Sequence, residues 1–507
     1  MEAFVNCNTS GLAVYGQPLT QREVEHLYRR CAFGASKELI DQSVGRTATD
    51  LVAGIIGSAQ TAPLIPAYPW SNWNDDDYPE DDDLRRDLYR AQLQELALDY
   101  SKGMLNHGIR DRMSFFWSNH FVTEIDVYRC ASFLHEYVTC LQRNAIGNFK
   151  TFVSEIGLTA AMLRYLDGAF NRFRGENVAP NENYARELFE LFTLGEGTGA
   201  YTEEDIVEAS KALTGYTDNG GVGCNKYAFN PEHFWPGDKT IFGQTGNWGY
   251  DDLIDILFAQ RPTEIARFIC GKIYQYLVHP DISNDNPNTG VVINGLADTL
   301  VANNWEMAPM LNQLLISEHF YDPESLGVII KSPFDLFLQF EKETDFPLTD
   351  PMLEQFIGTA SQLGQELFDP VDVAGWQRDR DWISTQFLIG RWLSMEWFLS
   401  QFFQADPESF RNLAVQLVGP ANEGTSDPRI VVEAFVRHFT PKDLLTEQEF
   451  QNALDAFTIE DIPDIYYSPD FVEGGLSIWI LNISLEVPTQ VYTLLSHLIR
   501  QPEFQLK

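Results

Sequence analysis

Pro180-Asn181-Glu182-Asn183-Tyr184-Ala185-Arg186-Glu187-Leu188-Phe189-Glu190-Leu191-Phe192-Thr193-Leu194-Gly195 decides how this chain is read. Proline suits the entry to a helix, and glycine suits its exit in the left-handed conformation. On a helical wheel Tyr184, Ala185, Leu188, Phe189, Leu191 and Phe192 share one face. Asn183, Arg186, Glu187 and Glu190 share the opposite one. That polar face has two readings. It is a wet face on which Glu182, Arg186 and Glu190, four residues apart, form ion pairs. Or it is a buried polar seam that does chemistry.

The rest of the chain extends the helical pattern. Thr20 and Glu23 form a capping box ahead of a helix carrying Val24, Leu27, Tyr28 and Cys31, with Gly34 at its end. Further helices are expected at 36–42, 47–56, 84–101, 106–119, 127–144 and 149–166, and another capped by Thr202. Beyond residue 250 they recur at 251–259, 262–277, 289–303, 306–316, 333–342, 351–364, 382–404 and 407–418, and through a helical tail from 430 to 500. Residues 59–83 read as a loop punctuated by prolines and rich in aspartate. From about 216 to 250 glycines, aromatics and asparagines replace the helical period, giving a long irregular loop with room for a short hairpin. The expected fold is mostly α: a large multi-helix body with that loop and little or no β-sheet. Three stretches divide it. Residues 1–83 hold the N-terminal helices and acidic loop, 84–345 the central body, and 346–507 a C-terminal helical part packed on it.

Composition narrows the function. The chain has 507 residues, 44% of them hydrophobic, enough for a sizeable core. Asp plus Glu outnumber Lys plus Arg 73 to 35, a formal charge of −38. Such a surface repels nucleic acid and anionic lipid, so neither is an expected partner. No export signal and no run of about 18 apolar residues occurs, so a cytoplasmic location is expected for the sequence as written. The six cysteines form no C-x-x-C pair and no disulfide framework, and most are expected to be buried thiols. The acidic run at 74–83 and the stretch 281–288 both lack the glycine and terminal glutamate of an EF-hand. Nucleophile-elbow, Walker A and H-E-x-x-H patterns are missing, and the glycines at 220, 221 and 223 follow no clear strand.

The candidate site residues are few. Glu187 and Glu190, three apart, could hold a divalent metal with a histidine from another helix. His120, closing an aromatic helix, and His233, in the irregular loop, are the imidazoles considered. If the face is buried, Arg186 neutralises one glutamate and the other acts as a general base. Asn183 would supply a hydrogen bond. The bland alternatives are a salt-linked surface helix and a packed or capping histidine.

Asn181 to Gly195 resembles the signature of the bacterial family called domain of unknown function 1800. The resemblance continues through Tyr201 to Ile206 and Ala212 to Tyr216. Upstream it takes in His26 to Gly34, Phe116 to Phe121 and Gly147 to Phe149. Downstream it takes in His233, Asp238-Lys239, Leu363-Gly364-Gln365, Val373 to Trp376, Trp382-Ile383 and Pro502 to Gln505. The tail and the Tyr201 to Asp205 variant look like a Bacteroidetes branch. The resemblance implies no settled activity. It implies exported relatives, and as a partner a sulfatase-like family, domain of unknown function 1501. Phe192 stands where many members carry histidine, which weakens a metal site there. Two function classes follow: a metal-assisted enzyme built on Glu187, Glu190, His120 and His233, or a non-catalytic partner of a sulfatase-like neighbour.

Overall fold

Thr20 and Glu23 do close a capping box. The Thr20 amide donates to the Glu23 carboxylate at 2.7 Å, and the Glu23 amide returns to the Thr20 hydroxyl at 3.5 Å. The helix they start, Gln21–Cys31, is buried along most of its length. Thr202 and Asp205 repeat the device for Glu203–Ala212. Asp81 caps the long helix Asp82–Asn106, so the acidic loop supplies a helix N-terminus. The computed structural model describes residues 10–217, 223–282, 287–444, 446–458 and 479–507. The glycines at 220 and 221, much of the 281–288 stretch and residues 459–478 of the expected helical tail lie outside these.

With helix at 61% of the described residues and strand at 3%, the protein is mostly α. The helices fall close to their expected places, as with Pro262–Leu277, Pro287–Ala302, Met307–Leu315, Pro333–Thr344, Asp350–Gln362, Thr385–Ala405 and Pro407–Val418. Ala131–Asn144 packs against Ile109–Ser118, Phe149–Ile156 and Ala160–Tyr165. Pro262–Leu277 packs against Pro287–Ala302. Val487–Leu498 packs against Pro407–Val418 and Glu447–Thr458. One cluster of buried apolar side chains runs from Leu19 to Phe504. Among the described residues no helix is long and apolar enough to cross a membrane.

Two local expectations are corrected, and a third, the short hairpin in the irregular loop, holds. The helix expected over 127–144 is broken at Arg129, which takes φ +46°, and restarts at Ala131. The helix expected over 149–166 is two helices, because Thr159 caps a new one at Ala160. The loop at 216–250 contains two small antiparallel ladders, Tyr216–Thr217 with Ala228–Phe229 and Lys239–Ile241 with Gln244–Gly246. The second turns through Phe242 and Gly243, both at positive φ, the backbone that two-residue hairpins favour.

The cysteine expectation is also corrected. Cys130, placed at the break before Ala131, is disulfide-bonded to Cys224 across 94 residues, with Cα atoms 5.5 Å apart. Asp75 guides the loop to it, accepting the Cys224 amide at 3.4 Å. Cys31, Cys140 and Cys270 are buried free thiols, as expected.

Candidate functional site

The signature stretch is not one regular helix. Asn183–Glu187 is α-helical, and Leu188–Thr193 widens into a π-helix. Asn181 holds the entry, its side-chain oxygen accepting the Asn183 amide at 2.9 Å. In the wide turn the Leu194 amide donates five residues back to the Phe189 carbonyl at 2.8 Å. Thr193 donates its hydroxyl to the Leu188 carbonyl. Gly195 then leaves at φ +88°. The extra residue in the turn lets Phe189, Phe192 and Thr193 all point inward, and π turns often mark functional positions. Tyr184 anchors the buried face, its hydroxyl 3.3 Å from that of Tyr250. Gly157 makes room for it, since a Cβ there would lie 1.7 Å from the Tyr184 oxygen.

The polar face takes the ion-pair form. Arg186 reaches Glu182 at 3.5 Å, Glu190 at 3.1 Å and Glu203 of the following helix at 2.8 Å. Asn183 is exposed. Glu187 is half-buried. Burial and then the neighbouring Glu190 push its carboxyl up, against the pull of Arg186.

The histidines sit elsewhere. His120 is buried, and its Nε2 faces the Phe192 carbonyl at 3.1 Å. That carbonyl is an unsatisfied acceptor at the end of the signature helix, and the imidazole caps it. Burial, then Lys272, then Arg378 lower His120 to about 3, so the ring is neutral and Nε2 carries the proton it donates. His233 faces the Thr217 hydroxyl through Nδ1 at 3.0 Å. Among the described residues no group of three or more His, Cys, Asp or Glu side chains could hold a metal ion. The expected carboxylate and imidazole cluster of His120, Glu187, Glu190 and His233 is therefore not assembled. His120 points at a backbone carbonyl, and Glu190 is engaged by Arg186.

His120 does lead to a cavity. Phe115, Phe116 and Asn119, from the end of Ile109–Ser118, form one wall of a space of about 230 Å³. Lys272, Gln275 and Tyr276 of Pro262–Leu277 form a second. Ser332 and Asp335, Gln365, the loop Trp376 to Asp379, Trp382 and Lys507 complete it. The loop is pinned to Asn119, whose side-chain oxygen accepts the Trp376 amide at 2.6 Å. Gly375 makes this possible. It sits at φ +91°, and a Cβ would lie 2.3 Å from that same oxygen. Trp376 lays its ring 5.0 Å from Phe115 and donates its indole N–H to the Glu366 carbonyl at 2.8 Å. Gln365 accepts the Phe334 amide at 3.0 Å.

In the cavity floor the cations are paired. Asp335 bridges Arg112 and Lys507, and all three are buried. Arg112 is also sandwiched between Phe33 and Tyr276, 4.4 and 4.5 Å from the ring centres. The upper cations differ. Arg378 donates to the Gln275 side chain at 3.0 Å, and no carboxylate among the described residues pairs with it. Lys272 lies 5.2 Å over the Phe268 ring. Burial, and then Arg378, lower its amine to about 8.

Sequence reasoning singled out Phe116 to Phe121, Leu363 to Gln365, Val373 to Trp376 and Pro502 to Gln505 as a pattern, but not as one place. It missed Lys272, Arg378, Asp335 and Lys507. One signal was available for Lys272. Phe268, Lys272, Gln275 and Tyr276 recur at helical spacing on one side of a helix that is otherwise largely apolar.

The fold and this cavity define an α-helical protein with an interhelical pocket walled by segments spread from Phe115 to Lys507. The chain belongs to the family described as "Protein of unknown function (DUF1800)", whose model matches residues 26–506. No curated protein and no solved structure matches it.

Proposed function

We propose that this protein binds a small molecule in the cavity between Asn119, Tyr276 and Trp376. One observation carries the reading. Segments hundreds of residues apart, including the family-like stretches at 116–121, 363–365 and 373–376, meet around one partly apolar space holding convergent polar groups. Enclosed apolar pockets with a few placed polar groups are the usual form of a small-molecule site. Glu187 and His120 belong to the frame: His120 ties the signature helix to the wall that carries Asn119.

The test is a fragment screen on the protein and on Gln275→Trp, read by ligand-observed NMR with competition. Fragments that bind the wild type and are lost from the variant, whose indole fills the cavity, support the reading. An identical set of binders for both proteins, or no binder at all, overturns it.

A further inference from the structure

Taking the cavity as the ligand site, we propose that it selects molecules with one anionic group, a carboxylate or a phosphate, on a planar apolar body. Lys272 and Arg378 hold the anion, and Phe116, Tyr276 and Trp376 hold the body.

The reasoning starts from charge. Acidic residues outnumber basic ones 73 to 35, so an interior cation has no shortage of carboxylates to pair with. Most buried cations use them or use backbone oxygens, although Arg391 reaches the Gln505 side-chain oxygen at 2.9 Å instead. Arg29 pairs with Glu343 at 2.6 Å, and Arg110 with Asp111 at 2.7 Å. Arg112 and Lys507 share Asp335. Lys331, with no carboxylate, donates to the Phe504 carbonyl at 2.7 Å. Lys239 donates to the Trp235 carbonyl at 3.0 Å and to the Asn247 side chain at 2.8 Å. Lys272 departs from this pattern. It lines the cavity, and among the described residues no acceptor in the protein reaches its amine. Its neighbour is a second cation. Arg378, on the exposed rim, donates to Gln275 at 3.0 Å, three residues along the same helix from the half-buried Lys272, and both cations line the cavity, so they converge on one end of it. Asp379 also lines the space but pairs with neither.

Two like charges kept together without a counter-ion, beside aromatic rings, form a receptor for an anion. The arginine fork gives a carboxylate or phosphate two donors, and the lysine adds a point charge. The rings of Phe116 and Tyr276, 5.0 Å apart, and Trp376 against Phe115 offer flat apolar surface beside it. At about 230 Å³ the space suits a ligand of one ring rather than a nucleotide.

Isothermal titration calorimetry with benzoate, phenyl phosphate, benzyl alcohol and benzylamine tests this on the full chain. Both anions are expected to bind at least about tenfold tighter than benzyl alcohol, a step that one charge-assisted hydrogen bond supplies. Benzylamine is expected not to bind. Lys272→Met and Arg378→Met should each weaken the anions about tenfold while leaving benzyl alcohol unchanged, which also shows that the variants keep the cavity. Wild-type affinity for the anions should fall as pH rises past about 8, and that fall should vanish in Lys272→Met. The tighter of the two anions identifies the head group. If benzyl alcohol or benzylamine binds as tightly as the anions, the charge inference is overturned while the cavity stands as a ligand site. If none of the four binds and the fragment screen is also empty, the cavity reading falls with it.

Discussion

Replacing Asp335 tests the ion pairing on which the contrast with Lys272 and Arg378 rests. Asp335 is 4% exposed and faces two buried cations, Arg112 and Lys507. It also caps its own helix, taking the Ser332 amide at 3.1 Å. Removing one partner of a buried ion pair costs about 3–5 kcal/mol, because the charge left behind is uncompensated. Asp335→Asn keeps the shape and one acceptor but removes the charge, so a loss of about 3–4 kcal/mol is expected. Asp335→Ala loses the cap as well, adding about 1 kcal/mol. Arg112 cannot shed its proton, but Lys507 can. Burial, then Arg112, already holds the Lys507 amine well below the usual lysine range. Lys507→Met in the Asp335→Asn background should therefore recover part of the loss. The pH dependence has a definite sign. Burial alone would push the Asp335 carboxyl up, but Arg112 and Lys507 outweigh it and hold it well below the ordinary carboxylate value. A depressed carboxyl contributes stability that is full above its unfolded pKa, about 4, and is lost as pH falls below it. Urea unfolding followed by circular dichroism at pH 7 and at successively lower pH gives both numbers. The gap between wild type and Asp335→Asn should be widest at pH 7 and shrink below about pH 4. A gap under about 1 kcal/mol at pH 7, or one that persists unchanged in acid, would refute the reasoning.

Gly375→Ala should cost about 1–3 kcal/mol in backbone strain and loosen the Asn119 to Trp376 hydrogen bond, read as faster hydrogen exchange at the Trp376 amide. Cys130→Ser with Cys224→Ser opens a loop of 94 residues, and the chain-entropy account gives a loss of about 4–5 kcal/mol. Thermal unfolding with and without reductant should show the same direction, with no response in the double variant. In the native state Cys31 and Cys140, buried and pushed up to about 12, should not react with a thiol reagent until the protein unfolds. Glu341 is buried with one carboxylate oxygen unpartnered among the described residues, and burial, then Asp345, pushes it up to about 8. The folded protein thus keeps a proton that the unfolded chain loses near 4.5, so stability should decline as pH rises between these values. Glu341→Gln should flatten that slope, and an unchanged slope would count against the assignment.

The helices were legible because their signals are local. Capping boxes act over three residues, and Thr20 with Glu23 or Thr202 with Asp205 can be read without knowing the fold. The failures are of another kind. The break at Arg129 and Cys130 interrupts a stretch that is periodic on both sides. Cys130, at the break, is bonded to a partner 94 residues away. A π turn over Leu188–Thr193 is invisible to a helical wheel, since one added residue shifts a six-residue segment by too little to change its pattern. The cavity joins residues from Phe115 to Lys507, and no spacing rule links them.

The same limits account for the signature stretch. Its polar row suggested chemistry, yet Arg186 is occupied by three carboxylates, one of them from the next helix. What the run of residues builds is a route inward. The widened turn ends with the Phe192 carbonyl free, and His120 caps it. The next residue back, Asn119, holds the Trp376 amide and so the cavity loop. A charged ring at His120 would be buried and would then face Lys272 and Arg378, which is why that imidazole stays neutral and works as a strut. The polar face and the cavity are therefore two ends of one structure. Substitutions of Phe192 or Thr193 should change ligand binding through the position of Trp376, whereas Arg186→Ala should cost only what a surface ion network is worth, about 1 kcal/mol or less.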